Sequence, residues 1–334
     1  MTLPRVSVII PVKPGGEVPA LSGLARASYP LDRFEVLVAY GCAPSAQRNL
    51  AAREAQGELL YFLDDDSQVL PGFLEAAARH YRDPKVAAVG GPSLTPKSDS
   101  ALQRAIGVAF ASAVGGGGVR NRYRKVGSAR RCCDSELILC NLSFRREIFL
   151  SHEGLDARLY PNEENELMDR LLHEGFQLVH DPELAVHRSQ RRSYRAYVKQ
   201  MFGYGRGRGE QTLLSGKLKP VSLAPSFLLI YALLLPFFAR GLFALPMAGY
   251  LAAIAFASFA GALSGREPAL LPRLLLVYPT LHLVYGAGVI AGLVRPRYRS
   301  APRRAEGVEV RCVKRFGEAI GEGELQSKTE PASP

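Results

Sequence analysis

The chain has 334 residues, 47% of them apolar, and its 42 Lys and Arg against 31 Asp and Glu give a formal net charge of +11. That length holds one large α/β domain or two smaller ones. Its five cysteines are odd in number and include no CxxC pair, which excludes a disulfide framework and a cysteine zinc site, and no nucleic-acid module signature accompanies the basic charge.

In chain order, the N-terminal MTLPRVSVIIPV lacks a signal-peptide layout and runs directly into a buried-strand pattern at Val6–Pro11. The soluble part is therefore expected to stay in the reducing cytoplasm where it is made. A helix over Val18–Ser28, a strand over Phe34–Tyr40, a helix over PSAQRNLAAREAQG and a strand over Leu59–Leu63 follow. Pro44 suits the first turn of that second helix and Gly57 its end. Such alternation predicts βαβ units and a mostly parallel sheet, which binds ligands at the carboxyl ends of its strands. A helix from Pro71, a strand over Val86–Val89, a strand over Leu137–Phe144 and a helix over Glu163–His173 come next. The GGGG at 115–118 and the arginine-rich VRNRYRKVGSARR after it are expected to form a mobile loop, either phosphate-facing or merely solvated.

Residues 221–294 are almost wholly apolar, broken by Arg240, Arg266, Glu267 and Arg273. Three stretches, Ser222–Ala239, Leu242–Leu263 and Ala269–Val294, are long enough to cross a bilayer. Tyr285, Gly286, Gly288 and Gly292 suit close helix packing. Basic residues flank this region, from Arg188, Arg191, Arg192, Arg195 and Lys199 to Arg206, Arg208, Lys217 and Lys219 on one side, and Arg295, Arg297, Arg299, Arg303 and Arg304 on the other. Positive charge of this kind marks the cytoplasmic face of a membrane. The expected organisation is a soluble domain over 1–215 with an interfacial helix near 193–204, a membrane region of two or three helices over 221–294, and a basic then polar tail over 295–334. Three crossings would put the tail outside. Two crossings plus an interfacial or re-entrant segment keep it inside, which is the expectation adopted.

The sharpest local feature is Asp64-Asp65-Asp66 after the apolar YFL. Three adjacent carboxylates resist ionising together without a cation, and hard divalent ions such as Mg²⁺ or Mn²⁺ favour oxygen ligands shared with phosphates. On its own the run is as compatible with a solvated turn. Glu163, Glu164 and Glu166 likewise suit the first turn of a helix, where acids complement the dipole.

The order VSVIIPV, FEVLVAYG, SAQRNLAAREAQGE and LLYFLDDD resembles the nucleotide-binding half of family 2 glycosyltransferases, which have the GT-A fold. NLSFRREIF, HEGLDARLYPNEENEL and MDRLLHEGFQLVHDPELAVHRS are similar to that family's acceptor half. RRSYRAYVKQMFGYGRGRG and HLVYGAG resemble its membrane-anchored exopolysaccharide branch, like the succinoglycan glucosyltransferases. The resemblance implies transfer of a sugar from a nucleotide-sugar donor to a lipid-linked or polysaccharide acceptor, with inversion and with Mg²⁺ or Mn²⁺, at the inner (plasma) membrane. By position it implies donor-side roles for Pro11, Arg48, Asn49, Asp64 and Asp65, and metal contacts for Asp66 and His187. It makes Glu164 the general base, leaving Glu163, Gln200 and Tyr204 to position the acceptor.

Three departures from the family pattern stand out. Ala39-Tyr40-Gly41 replaces an acidic base-reading segment, although UDP remains the expected donor nucleotide. Glu164 stands where Asp is usual. Gly203-Tyr204 replaces the Arg-Trp of processive members, which favours single-sugar addition. The rivals are a Rossmann dehydrogenase, which PVKPGGEV rules out for want of GxGxxG, a nucleotidyltransferase, and a silent membrane scaffold of the same fold.

Overall fold

The structure, a computed structural model, describes residues 3–238, 241–300 and 307–325, with backbone only at Arg299 and Ser300. Arg240, Arg303 and Arg304, named above, lie outside the described residues.

Strand β1 (Val6–Val12) leads through α1 (Ala20–Leu24) to β2 (Phe34–Tyr40), and α2 (Pro44–Glu54) leads to β3 (Leu59–Leu63). β1 lies parallel between the other two, with Val6 opposite both Phe34 and Leu59. Side chains alternate across the strand, so Val6, Val8, Ile10 and Val12 enter one hydrophobic layer and Ile9 the other. The chain continues through α3 (Phe73–His80), β4 (Val86–Gly90), the short β5 (Ser93–Leu94), α4 (Ala101–Ala111), β6 (Arg130–Cys132) and β7 (Asn141–Arg145). Then come α5 (Arg146–Ser151), α6 (Glu163–His173), β8 (Gln177–His180) and the two-residue β9 (Val186–His187), which pairs with β5. The expected parallel units form the β2-β1-β3 part, and β4 and β8 are also parallel. Antiparallel β7 joins these two parts by pairing with β3 and β4, so the sheet as a whole is mixed.

The region from Pro92 to Asp134 has no clear pattern in the sequence, yet it contains α4. Ser100 caps this helix by accepting from the Gln103 amide, while Gln103 returns a bond to the Ser100 amide. The glycines after it are not loop filler. A Cβ at Gly115 or Gly116 would collide with the carbonyl oxygens of Ala109 or Phe110, so the chain turns back tightly against the end of α4. Arg122 is buried, donating to the Ser135 and Asp134 carbonyls and to Asn165 of α6. It ties the segment to α6 rather than facing solvent.

The apolar region comprises α8 (Ala224–Phe238), α9 (Leu245–Ser264) and α10 (Leu271–Val294), preceded by the 22-residue α7 (Tyr194–Ser215). The three candidate spans differ sharply in packing: 6%, 17% and 44% of an 18-residue apolar stretch in each are buried in turn. α10 packs along α7, and this contact runs on glycine. A Cβ at Gly205 would strike the Tyr285 carbonyl, one at Gly288 the Phe202 carbonyl, and one at Gly292 the Arg206 carbonyl. The expected interfacial helix is thus sandwiched between α10 and the N-terminal domain, with Tyr197 and Met201 buried in a core shared with α4, α9 and α10. Gly205→Val should break this backbone contact and cost about 1–3 kcal/mol or more. Gly203→Ala, which faces open space, should be neutral, and thermal melts in detergent compare the two.

Both ends of α10 are fastened to the N-terminal domain. Glu267, just before it, pairs with Arg104 of α4 at 2.7 Å. Arg297, just after it, pairs with Glu210 of α7 at 3.1 Å and donates to the Tyr160 carbonyl. The tail then returns to the sheet, where β10 (Glu309–Lys314) pairs antiparallel with β2. Lys314 is buried under it and donates to the Leu31 and Phe34 carbonyls.

Candidate functional site

Strand β3 is buried along its length, and the chain leaves it as Asp64-Asp65-Asp66. Ser67 closes the turn, its amide donating to the Asp64 carbonyl and its hydroxyl accepting from the Asp64 amide. Two guanidinium groups converge on Asp64. Arg48 of α2 meets one oxygen at 2.7 Å and Arg188 the other at 2.9 Å. Arg188 also reaches Asp66 at 2.8 Å, so a single cation spans the first and third carboxylates. Burial by itself would raise the Asp64 carboxyl, but Arg188, Arg48 and Arg191 outweigh it and hold it below the ordinary value. Asp65 moves the other way, raised by burial and then by Asp66 and Asp64. This residual excess of negative charge is what a further cation would relieve, and the hard oxygen donors suit Mg²⁺ or Mn²⁺.

Arg48 also faces Glu163, at 3.8 Å. Glu163 opens α6 behind Asn162, which takes a left-handed conformation that asparagine tolerates better than most residues. Burial first, and the neighbouring Glu164 second, push the Glu163 carboxyl up to about 8. The fold therefore binds this proton up to about pH 8, whereas the unfolded chain releases it near 4.5. Stability from this group is full below the lower value and is lost as pH rises through the upper one. Glu163→Gln should remove that slope, so unfolding midpoints at pH 6 and pH 9 should converge in the variant.

Asp64, Arg48, Glu163, Glu164, Arg188, Gln200 and Tyr204 line one cavity of about 1640 Å³. Gln200 donates to the Tyr204 hydroxyl at 2.9 Å one turn along α7. The cavity wall also carries buried polar atoms without a partner among the described residues: Arg48 Nε, Asn162 Nδ2, Glu163 Oε2 and Gln200 Oε1. Buried polar groups are normally satisfied, so this concentration points to a ligand.

Not every expected residue gathers there. Asn49 holds the backbone of Leu155 instead, accepting from its amide at 2.9 Å and donating to its carbonyl at 2.7 Å, which uses up its amide group. Pro11 lies half-buried on β1 away from the cavity wall, and Lys13 beyond it takes part in that wall. The His187 backbone exchanges hydrogen bonds with Gln68. Arg188, the next residue, reaches the carboxylates of Asp64 and Asp66. Among the described residues, no group of three or more His, Cys, Asp or Glu side chains is arranged to hold a metal. The sequence reading counted Arg188 only among the flanking basic charges. Its one signal was adjacency to the histidine at the end of the same short strand.

Residues 59–290 match the family described as glycosyl transferase family group 2. A comparison with curated proteins finds no match. Among solved structures, the mannosyltransferase PcManGT from Pyrobaculum calidifontis, in complex with GDP-Man and Mn²⁺, is similar with a TM-score of 0.53 and 17% identity over 88% of each chain. S. aureus TarS 1-349 in complex with UDP has a TM-score of 0.42 and 14% identity over 96% of this chain and 99% of that one. With its GT-A-like mixed sheet and three apolar helices that could span a membrane, this chain belongs to glycosyltransferase family group 2 and is a glycosyltransferase.

Proposed function

We propose that the protein transfers one sugar, with inversion, from a nucleoside diphosphate sugar to an acceptor hydroxyl carried on a lipid-linked or polysaccharide chain. The observation that carries this reading is the cavity whose wall holds Asp64 together with Glu163 and Glu164. Donor chemistry needs positive charge beside a leaving diphosphate, and acceptor chemistry needs a carboxylate within reach of a hydroxyl. Arg48 and Arg188 supply the first. Asp64 and Asp66 would hold a divalent ion, which when bound neutralises the diphosphate, and Asp65 completes the donor side. Glu163 is buried against Arg48, and Glu164, the second acid of the motif on the same cavity wall, is assigned as the base. UDP is the donor nucleotide favoured, while the Mn²⁺ and GDP-Man seen in PcManGT keep GDP in the comparison.

Titration calorimetry with UDP- and GDP-sugars, with and without Mn²⁺, tests the donor side. At least one donor should bind in a metal-dependent way, and Asp66→Asn should remove most of that dependence. Equal donor affinity in the variant, with and without metal, overturns it. Closure of Arg188 over Asp64 and Asp66 is the observation favouring the rival, a silent scaffold, which would bind no donor at all.

The catalytic part is proposed to lie in the cytoplasm at the inner membrane, with α8 and α9 crossing as a pair. Support comes from the fastening of both ends of α10 to the catalytic part and from β10 rejoining its sheet. Cys312 on β10 is exposed. In a chain with Cys312 as the only cysteine, a membrane-impermeant maleimide should label it only after permeabilisation, and labelling in intact cells overturns the topology.

A further inference from the structure

We propose that Arg297, held by the buried carboxylate of Glu210, is a positioning residue that sets the turn from which Glu163 and Glu164 enter the cavity. This rests on the reading of Glu164 as the base and adds what holds that base in place. The turn is Tyr160-Pro161-Asn162, immediately ahead of α6. Asn162 has a φ of 90°, and its side chain caps none of the free amides of the helix. A left-handed residue other than glycine persists only where its surroundings determine it. The turn therefore needs support from elsewhere in the chain.

That support comes from two sides. On one, α7 presses its backbone against the turn, because a Cβ at Gly207 would strike the Pro161 carbonyl. On the other, Arg297 donates from Nη2 to the Tyr160 carbonyl at 2.9 Å. Glu210 of α7 grips the same guanidinium, with Nε 3.1 Å and Nη2 3.3 Å from its two oxygens. The Arg297 amide adds a further bond to Glu210 at 2.9 Å. Arg206 meets Glu210 at 3.3 Å and donates to the Arg295 carbonyl at 2.7 Å, which closes the cluster. Glu210 is only 1% exposed. A carboxylate that deep is a poor source of stability, since its desolvation offsets most of what its partners return. What the pair does supply is direction. A guanidinium fixed by a fork of two bonds has its remaining N–H aimed at one carbonyl. Arg297 stands just beyond the end of α10, so the brace also ties the placement of the acids to that helix.

The test uses the full chain in membranes and follows nucleoside diphosphate release from UDP-glucose, UDP-N-acetylglucosamine and GDP-mannose. Release counts turnover whichever hydroxyl takes the sugar. Arg297→Gln should lower kcat by about 10- to 10²-fold, the effect of a small misplacement of a reacting group. Donor KM, and calorimetric donor affinity of the purified chain, should not change. Glu210→Gln keeps the volume but turns one acceptor into a donor facing the guanidinium, and should show the same loss. In a Glu164→Gln chain neither substitution should lower kcat further, because residues that act as a unit are not additive. Native kcat in either single variant, losses that multiply in the double variants, or donor affinity that falls along with kcat each overturns the proposal. Glu164→Gln alone separates the two readings. If it turns over normally, the base assignment fails and the positioning role falls with it. If it is impaired while Arg297→Gln is native, only the positioning role falls.

Discussion

Glu164→Gln should lower kcat by about 10²- to 10⁴-fold, the usual contribution of a general base, while leaving nucleotide-sugar affinity nearly intact. The glutamine keeps the shape of the side chain and removes its ability to take the acceptor proton. Glu163→Gln should be far milder and act on acceptor KM, because Glu163 holds a proton at neutral pH, pushed up to about 8 by burial and by Glu164. A glutamine imitates that protonated state. Steady-state kinetics on both variants decide the matter: near-normal turnover in Glu164→Gln, or the opposite ranking, would remove the assignment.

The second large effect is expected at Arg188. A divalent ion that uses Asp64 and Asp66 must displace a guanidinium bound to both, at 2.9 and 2.8 Å. Hydrogen bonds to charged groups are worth about 1.5–3 kcal/mol each, and about 1.4 kcal/mol is tenfold in affinity. In the absence of donor, Arg188→Gln should therefore bind Mn²⁺ at least about tenfold more tightly than the native chain. The electron paramagnetic resonance signal of free Mn²⁺ reads this directly, without turnover. An unchanged affinity would mean that the metal does not use these carboxylates. The same arginine gives the free enzyme a substitute cation that offsets part of the charge on Asp64 and Asp66.

Much of this was legible in the residues. The β1, β2 and β3 runs are continuous, β-branched and bounded by turn residues, and local signals of that strength survive packing. The Asp64 run and the Glu163-Glu164 pair were legible through the order of motifs rather than through any one of them. What was hidden depended on contacts distant in sequence. Asn49 sits on the expected helix, yet its amide is consumed by Leu155, more than a hundred residues away. Arg188 follows β9 directly, and only the fold shows that it spans Asp64 and Asp66 from more than a hundred residues away. α4 was missed although Ser100 and Gln103 spell a capping box, because the GGGG after it suggested a loop. In fact those glycines mark a close approach of backbone to the end of that helix. The three apolar stretches looked alike by length, and only their burial separates α10 from α8 and α9.

The strand formed by Glu309–Lys314 has a consequence for the order in which the protein is made. Its partner strand emerges from the ribosome early, ending at Tyr40, and has an open edge until Glu309 appears. At about 5–20 residues per second, that interval lasts roughly 15–50 s, and the apolar helices are synthesised within it. The sheet therefore closes only after the three apolar helices have left the ribosome. A chain that stalls while they are being made leaves an unpaired β edge exposed to other chains.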